Sequence, residues 1–96
     1  GPAYFIHFAE IIKNAFKRLG FKDKDAEDFS RNMFYATGFT CHRDKRKLKS
    51  IKSTVVSKKG TTEAALKQMT KSNIEKIIVN SIIKAYQRSI ELGKNK

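Results

Sequence analysis

The chain has 96 residues, the length of one domain, and 40% of them are hydrophobic, seven being Phe; this is enough apolar matter to fold and argues against disorder, although a domain so small hides only about 60–70% of the surface its extended chain would expose. No apolar run approaches the ~20 residues of a membrane span, and the opening Gly1-Pro2-Ala3-Tyr4 lacks the basic-then-apolar pattern of a secretory leader. The formal net charge of +12 requires either an anionic partner or a solvated basic face.

With one proline and few β-branched runs, the expected class is all-α, with about five helices in one domain over residues 1–96. The first helix is expected from Pro2 or Ala3 to Leu19. Proline suits a first turn, where its missing N–H is not needed, and Gly20 suits the left-handed stop beyond the end. Phe5, Phe8, Ile12, Ala15, Phe16 and Leu19 form one stripe, and Ile6, Ala9 and Ile11 widen it until it calls for cover on two sides.

A second helix is expected from Asp23 to about Arg43. Asp23, Asp25, Glu27 and Asp28 crowd its opening turns, where the helix dipole favours negative charge. Ala26, Phe29, Met33, Ala36, Thr37 and Thr40 follow helical spacing toward a core, while Phe34, Tyr35, Phe39 and Cys41 extend the apolar surface to another face. The stretch Arg-Asp-Lys-Arg-Lys-Leu-Lys-Ser-Ile-Lys reads as a short basic third helix with Leu48 and Ile51 inward, and Ser53 to Ser57 as an extended connection. A fourth helix runs from Thr61 or Thr62 to about Met69. The last opens on Ser72 with Glu75 three residues on, a capping box, carries Ile74, Ile77, Ile78, Ile82, Ala85, Ser89 and Leu92 as its stripe, and closes at Gly93. Two helices with such wide faces leave more apolar surface than one small bundle can cover, which an interlocked homodimer would resolve.

Residues 41–59 hold eight Lys or Arg against one Asp. Such a run can neutralise phosphates, but no aromatic residue lies within it to stack on bases, so a solvated face is favoured over nucleic acid as partner. Cys41 is the only cysteine, which rules out an internal disulfide and points to a reducing, cytoplasmic setting. Cys41 and His42 are adjacent and the other histidine is His7, so no metal site is expected and Cys41 reads as a packed thiol.

The stretch Ser-Lys-Lys-Gly-Thr-Thr-Glu-Ala-Ala-Leu, residues 57–66, places Gly60-Thr61-Thr62 at a helix start behind Lys58 and Lys59. A helix N-terminus with small hydroxyl residues and nearby positive charge can seat an anion. The other reading is that Thr61 or Thr62 is simply an N-cap. Without further information the cap is the commoner outcome.

Four stretches together resemble a known family. They are residues 1–10, opening on Gly1-Pro2-Ala3-Tyr4, then Lys17-Arg18-Leu19-Gly20-Phe21, residues 48–66, and Arg88-Ser89-Ile90-Glu91-Leu92-Gly93. The family is pyrroline-5-carboxylate reductase, and the resemblance is to its C-terminal dimerisation domain, along the whole chain and without a gap from Gly1 to Thr62. That domain opens with Ser-Gly-Ser-Gly-Pro-Ala-Tyr, carries Ser-Pro-Gly-Gly-Thr-Thr before a helix, and ends on Arg-Ser-x-Glu-Leu-Gly. A start at Gly1 then suggests a piece cut from a longer protein or encoded separately.

The resemblance implies reduction of the imine of pyrroline-5-carboxylate to proline with NADPH or NADH, the cofactor lying on a separate Rossmann domain. It implies helices of two subunits interlocked as a homodimer, with dimers able to assemble into rings. It implies a small carboxylate substrate held by Ser57, Gly60, Thr61 and Thr62, with Thr62 near the imine nitrogen as the catalytic residue. Two departures bear on this. The family's Pro-Gly after the first Ser is Lys58-Lys59 here, and prolines common at the starts of its second and third helices are Lys22 and Leu48. Because no Gly-x-Gly-x-x-Gly follows a strand in these residues, the chain by itself is expected to bind no cofactor and not to catalyse the reaction. Three readings stand: a reductase dimerisation and substrate-loop domain, a decayed remnant that only dimerises, and a basic helical module for nucleic acid.

Overall fold

The computed structural model describes residues 1–56 and 60–94, and these contain five helices and no strand. They are α1 (Pro2–Arg18), α2 (Asp23–Arg43), α3 (Leu48–Val55), α4 (Thr61–Lys71) and α5 (Ile74–Lys94). The all-α expectation is met. The chain divides into two compact units, Gly1–Ile51 and Lys52–Lys96.

In the first unit α1 and α2 form a hairpin. Pro2 occupies the first turn of α1 as expected. Leu19, expected inside the helix, is its C-cap. Gly20 follows at φ 103°, its N–H donating to Lys17 and that of Phe21 to Phe16. This is a Schellman stop, and it needs a residue without Cβ at Gly20. The Phe21 ring stacks on Phe16 at 5.4 Å, and Phe16 meets Phe29 edge-on at 4.7 Å, so the turn is pinned by three rings.

Above the turn, small residues let the helices approach. Ala26 and Ser30 are buried, and the Ser30 hydroxyl donates to the Ala9 carbonyl. Phe8, Ile12 and Phe16 of the expected α1 stripe are half-buried, but Phe5 and Leu19 are exposed. On α2 the expected inward positions Met33, Ala36, Thr37 and Thr40 are exposed too. On α2 the buried residues are confined to its N-terminal part, and Ile51 is the third buried residue among the described ones.

The start of α3 differs from the expectation, for a visible reason. Asp44, in extended backbone after α2, accepts from the Arg46 backbone N–H and from its guanidinium at 2.7 Å. That clamp holds residues 44–46 out of the helix, which begins at Leu48. Ser53, Thr54 and Val55, expected to be extended, complete its second turn. Ile51 is buried as expected, whereas Leu48 is exposed.

In the second unit α4 runs to Lys71, two residues beyond its expected end. The stop is Asn73 at φ 62°, a left-handed position that Asn tolerates better than most residues. The capping box expected at Ser72 and Glu75 is not formed. Ser72 closes α4 as its C-cap and receives the Gln68 amide, and the Asn73 carbonyl accepts the first α5 bond from Ile77. Gly93, expected to end α5, lies within it. No residue of α4 or α5 is buried; of the expected α5 core stripe Ile74 is half-buried, and Ile77, Ile78, Ile82, Ala85, Ser89 and Leu92 are exposed.

Candidate functional site

The substrate loop expected from the sequence begins at Ser57, which lies outside the described residues together with Lys58 and Lys59. Gly60, Thr61 and Thr62 are described and are brought together at the start of α4. Gly60 is the N-cap, half-buried, at φ −87° and ψ 162°. That backbone is open to any residue, so the glycine is not there for a left-handed turn. Thr61 and Thr62 are the first two helical residues and both are exposed. The reading of either threonine as the N-cap is therefore corrected: Gly60 holds that position, and it supplies no side-chain oxygen.

The consequence is chemical. The first N–H groups of a helix have no partner within it and are ordinarily satisfied by a capping side chain. At α4 the N-cap Gly60 supplies no side-chain cap, and no other described residue is seen to cap the helix. These donors and the positive end of the helix dipole are available to an anion. Glu63, in the same turn, would compete with an incoming carboxylate, but its own carboxylate is paired with Lys67 at 3.1 Å. No hydroxyl hydrogen bond is made by Thr61 or Thr62 among the described residues.

The other charged cluster lies on the α1–α2 hairpin and has its charges matched. Lys13, only 22% exposed at its side chain, bridges Glu27 at 3.0 Å and Asp23 at 3.4 Å, while Lys17 reaches Asp23 at 3.0 Å. The Lys17 and Lys13 ammonium groups hold the Asp23 carboxyl below its usual range, and Lys13 with Arg31 does the same for Glu27; Glu27 in turn raises Lys13. A groove of about 400 Å³ beside them is lined by Ile6, Lys13, Glu27, Ser30, Arg31 and Phe34 among others. Its polar groups are engaged with one another, which leaves no surplus charge for a ligand there.

The second functional feature is apolar. On α5, Ile77, Ile78, Val79, Ile82, Ile83, Tyr86, Ile90 and Leu92 are each at least 40% exposed. On α1, Tyr4, Phe5, Ile6 and Ile11 are about half exposed or more. Contiguous apolar faces of this width mark an interaction surface rather than ordinary surface scatter.

The family described as pyrroline-5-carboxylate reductase dimerisation matches residues 1–92. The chain belongs to this family. Pyrroline-5-carboxylate reductases of Staphylococcus saprophyticus and Staphylococcus haemolyticus are 29% and 30% identical to it over 93 and 95 residues, covering 97% and 99% of the chain. That of Staphylococcus aureus strain COL is 29% identical over 93 residues. The chain spans about a third of the length of these relatives, 34% and 35% in the first two. No solved structure matches it. As a dimerisation domain of the pyrroline-5-carboxylate reductase family, the chain would be expected to carry wide apolar helix faces, and α1 and α5 carry them. No group of metal-ligating residues is present among the described residues, and no described helix is long and apolar enough to cross a membrane.

Sequence reasoning missed two local devices, the Asp44–Arg46 clamp and the left-handed Asn73. The first had a signal in Asp-x-Arg after a helix, and the second in Asn between two helical patterns.

Proposed function

We propose that the chain is the dimerisation and substrate-loop domain of a reductase of this family, and that its two units act together as a single domain over residues 1–96. The observation that supports the reading is the N-terminus of α4, which its N-cap Gly60 leaves without a side-chain cap, in a chain that belongs to this family. A small carboxylate, that of pyrroline-5-carboxylate, would accept from the backbone N–H groups of Thr61, Thr62 and Glu63. The hydroxyl of Ser57 would donate to the same carboxylate, and that of Thr62 would stand at the imine nitrogen.

NADPH or NADH would supply the hydride, and the residues of this chain do not fit such a cofactor. Its pyrophosphate is ordinarily cradled where a strand turns through a glycine-rich loop into a helix, and the described residues contain no strand. The cofactor would be held on a separate Rossmann domain, and the chain alone would be inactive in the cytoplasm where such synthesis occurs. The apolar faces of α1 and α5 support a homodimer, which could assemble further into a ring. A remnant that dimerises without binding substrate is the second reading, favoured by Lys58-Lys59 in place of Pro-Gly.

Calorimetric titration with proline tests the site. The expected result is binding by the parent chain that Thr62→Val weakens about tenfold, the loss of one hydrogen bond to a charged or strongly polar ligand. A parent chain that dimerises and shows no heat with proline would establish the remnant reading instead.

A further inference from the structure

The basic run of residues 41–59 has no aromatic residue of its own, but α2 supplies the rings that the linear reading lacked. Arg31, Tyr35, Phe39 and Arg43 are spaced four apart and share one face of the helix. The rings of Tyr35 and Phe39 lie 6.2 Å apart, and the Arg43 guanidinium sits over the Phe39 ring at 5.4 Å. Tyr35 is 73% exposed, and Phe39 is half exposed. The ladder leads directly into Lys45, Arg46, Lys47 and Lys49.

The charge of this segment is not balanced from within. Asp44 is its only acid, and Arg46 occupies both of its oxygens. Lys45 donates to the His42 carbonyl, which leaves its charge uncompensated. No carboxylate lies within 4 Å of Arg43, Lys45, Lys47 or Lys49 among the described residues, whereas on the hairpin Lys13, Lys17, Lys24 and Arg31 are all paired. A second copy of the chain is a poor occupant for this face. An isologous contact sets a patch against itself, and four unpaired cations would meet their equals.

We propose that the outer face of α2 from Tyr35 to Arg43, with the cationic segment to Lys49, is a binding surface for single-stranded nucleic acid. Exposed rings next to unpaired cations are the two elements such binding needs: bases stack on the rings and phosphates meet the lysines. A duplex hides its base faces and could use only the cations. The surface carries no hydrogen-bonding code for particular bases, so recognition would be independent of sequence.

The test uses a labelled oligothymidylate and the 96-residue chain. The chain has three Tyr and no Trp, so stacking on Tyr35 reads out as tyrosine quenching. The expected result is binding at low salt that weakens roughly 50-fold between about 50 and 200 mM salt, the slope for about four phosphates neutralised. Lys47→Glu with Lys49→Glu should flatten that slope and cost more than tenfold. Phe39→Leu should cost about tenfold with the slope unchanged. Tyr35→Phe should bind within about twofold of the parent and lose most of the quench. Circular dichroism and particle mass of each variant show that fold and assembly are kept, and Tyr35→Leu replaces Phe39→Leu should the latter unfold. Absence of binding at low salt overturns the proposal. So does equal affinity for a duplex or heparin that is indifferent to Phe39→Leu, which would mean that charge alone is at work.

Discussion

The α5 face predicts how the protein assembles, and Ile82 tests it. Ile82 is 44% exposed, in line with Ile78, Tyr86 and Ile90 at spacings of four. Burying an isoleucine completely is worth about 1.5–3 kcal/mol, so covering the exposed share of Ile82 is worth about 1 kcal/mol per copy. In a two-fold dimer the residue counts twice. Ile82→Ala should therefore weaken the dimer by about 2 kcal/mol, roughly 30-fold in Kd. Ile82→Glu adds an unpaired buried carboxylate in each copy, several kcal/mol more, and should leave only monomer at micromolar concentration. Light scattering across a dilution series on a sizing column reads both. The parent should show about twice the 11.0 kDa chain mass. A parent of that mass whose Ile82→Glu variant keeps it at the same dilution refutes the assignment of the α5 face to the interface.

The first unit gives two further expected outcomes. Gly20→Ala meets no steric neighbour but must hold a Cβ at φ 103°; a cost of about 1–2 kcal/mol is expected, seen as a fall in Tm of several degrees by circular dichroism, with no change in particle mass. The Arg46 guanidinium and backbone N–H beside Asp44 lower its carboxyl to about 2. Because the folded value is depressed, the clamp stabilises the fold fully above the unfolded carboxyl range and is lost as pH falls through about 2. A carbon-detected NMR titration should show the Asp44 midpoint near that value, and Arg46→Gln should return it toward 3.8.

The helices were legible where chemistry is local. Pro2 at a first turn, four acids at the start of α2 and Gly20 at a stop each act within a few residues, and each sits where the sequence placed it. The boundaries that shifted were set by contacts between residues a few places apart whose geometry the pattern does not contain. Asp44 clamps Arg46 and delays α3; Asn73 takes a left-handed backbone and displaces the capping box of Ser72 and Glu75. Of the proposed substrate loop, the sequence located Gly60, Thr61 and Thr62 at a helix start but could not decide which residue caps it. That depends on backbone angles, which make Gly60 the cap and remove the competing side-chain oxygen.

The burial pattern carries the deeper point. Periodicity says that Ile77, Ile78 and Ile82 share a face, and they do; it cannot say whether the cover comes from the same chain. Here α4 leaves all three at least 40% exposed. The apolar stripe is the same in sequence whether it faces an internal core or a second subunit, because the hydrophobic effect depends on area removed from water and not on which chain removes it. What distinguishes the two cases is the shortage of covering partners. The hairpin of Pro2–Arg18 on Asp23–Arg43 fully buries only the small residues Ala26 and Ser30; Phe8, Ile12 and Phe16 are half-buried, and Tyr4, Phe5, Ile6 and Ile11 are about half exposed or more. A hairpin that fully buries only small residues and leaves Tyr4, Phe5, Ile6 and Ile11 of α1 about half exposed or more, beside an α5 stripe left equally open, has the arrangement of a fold completed by another molecule, in keeping with a chain of a dimerisation family.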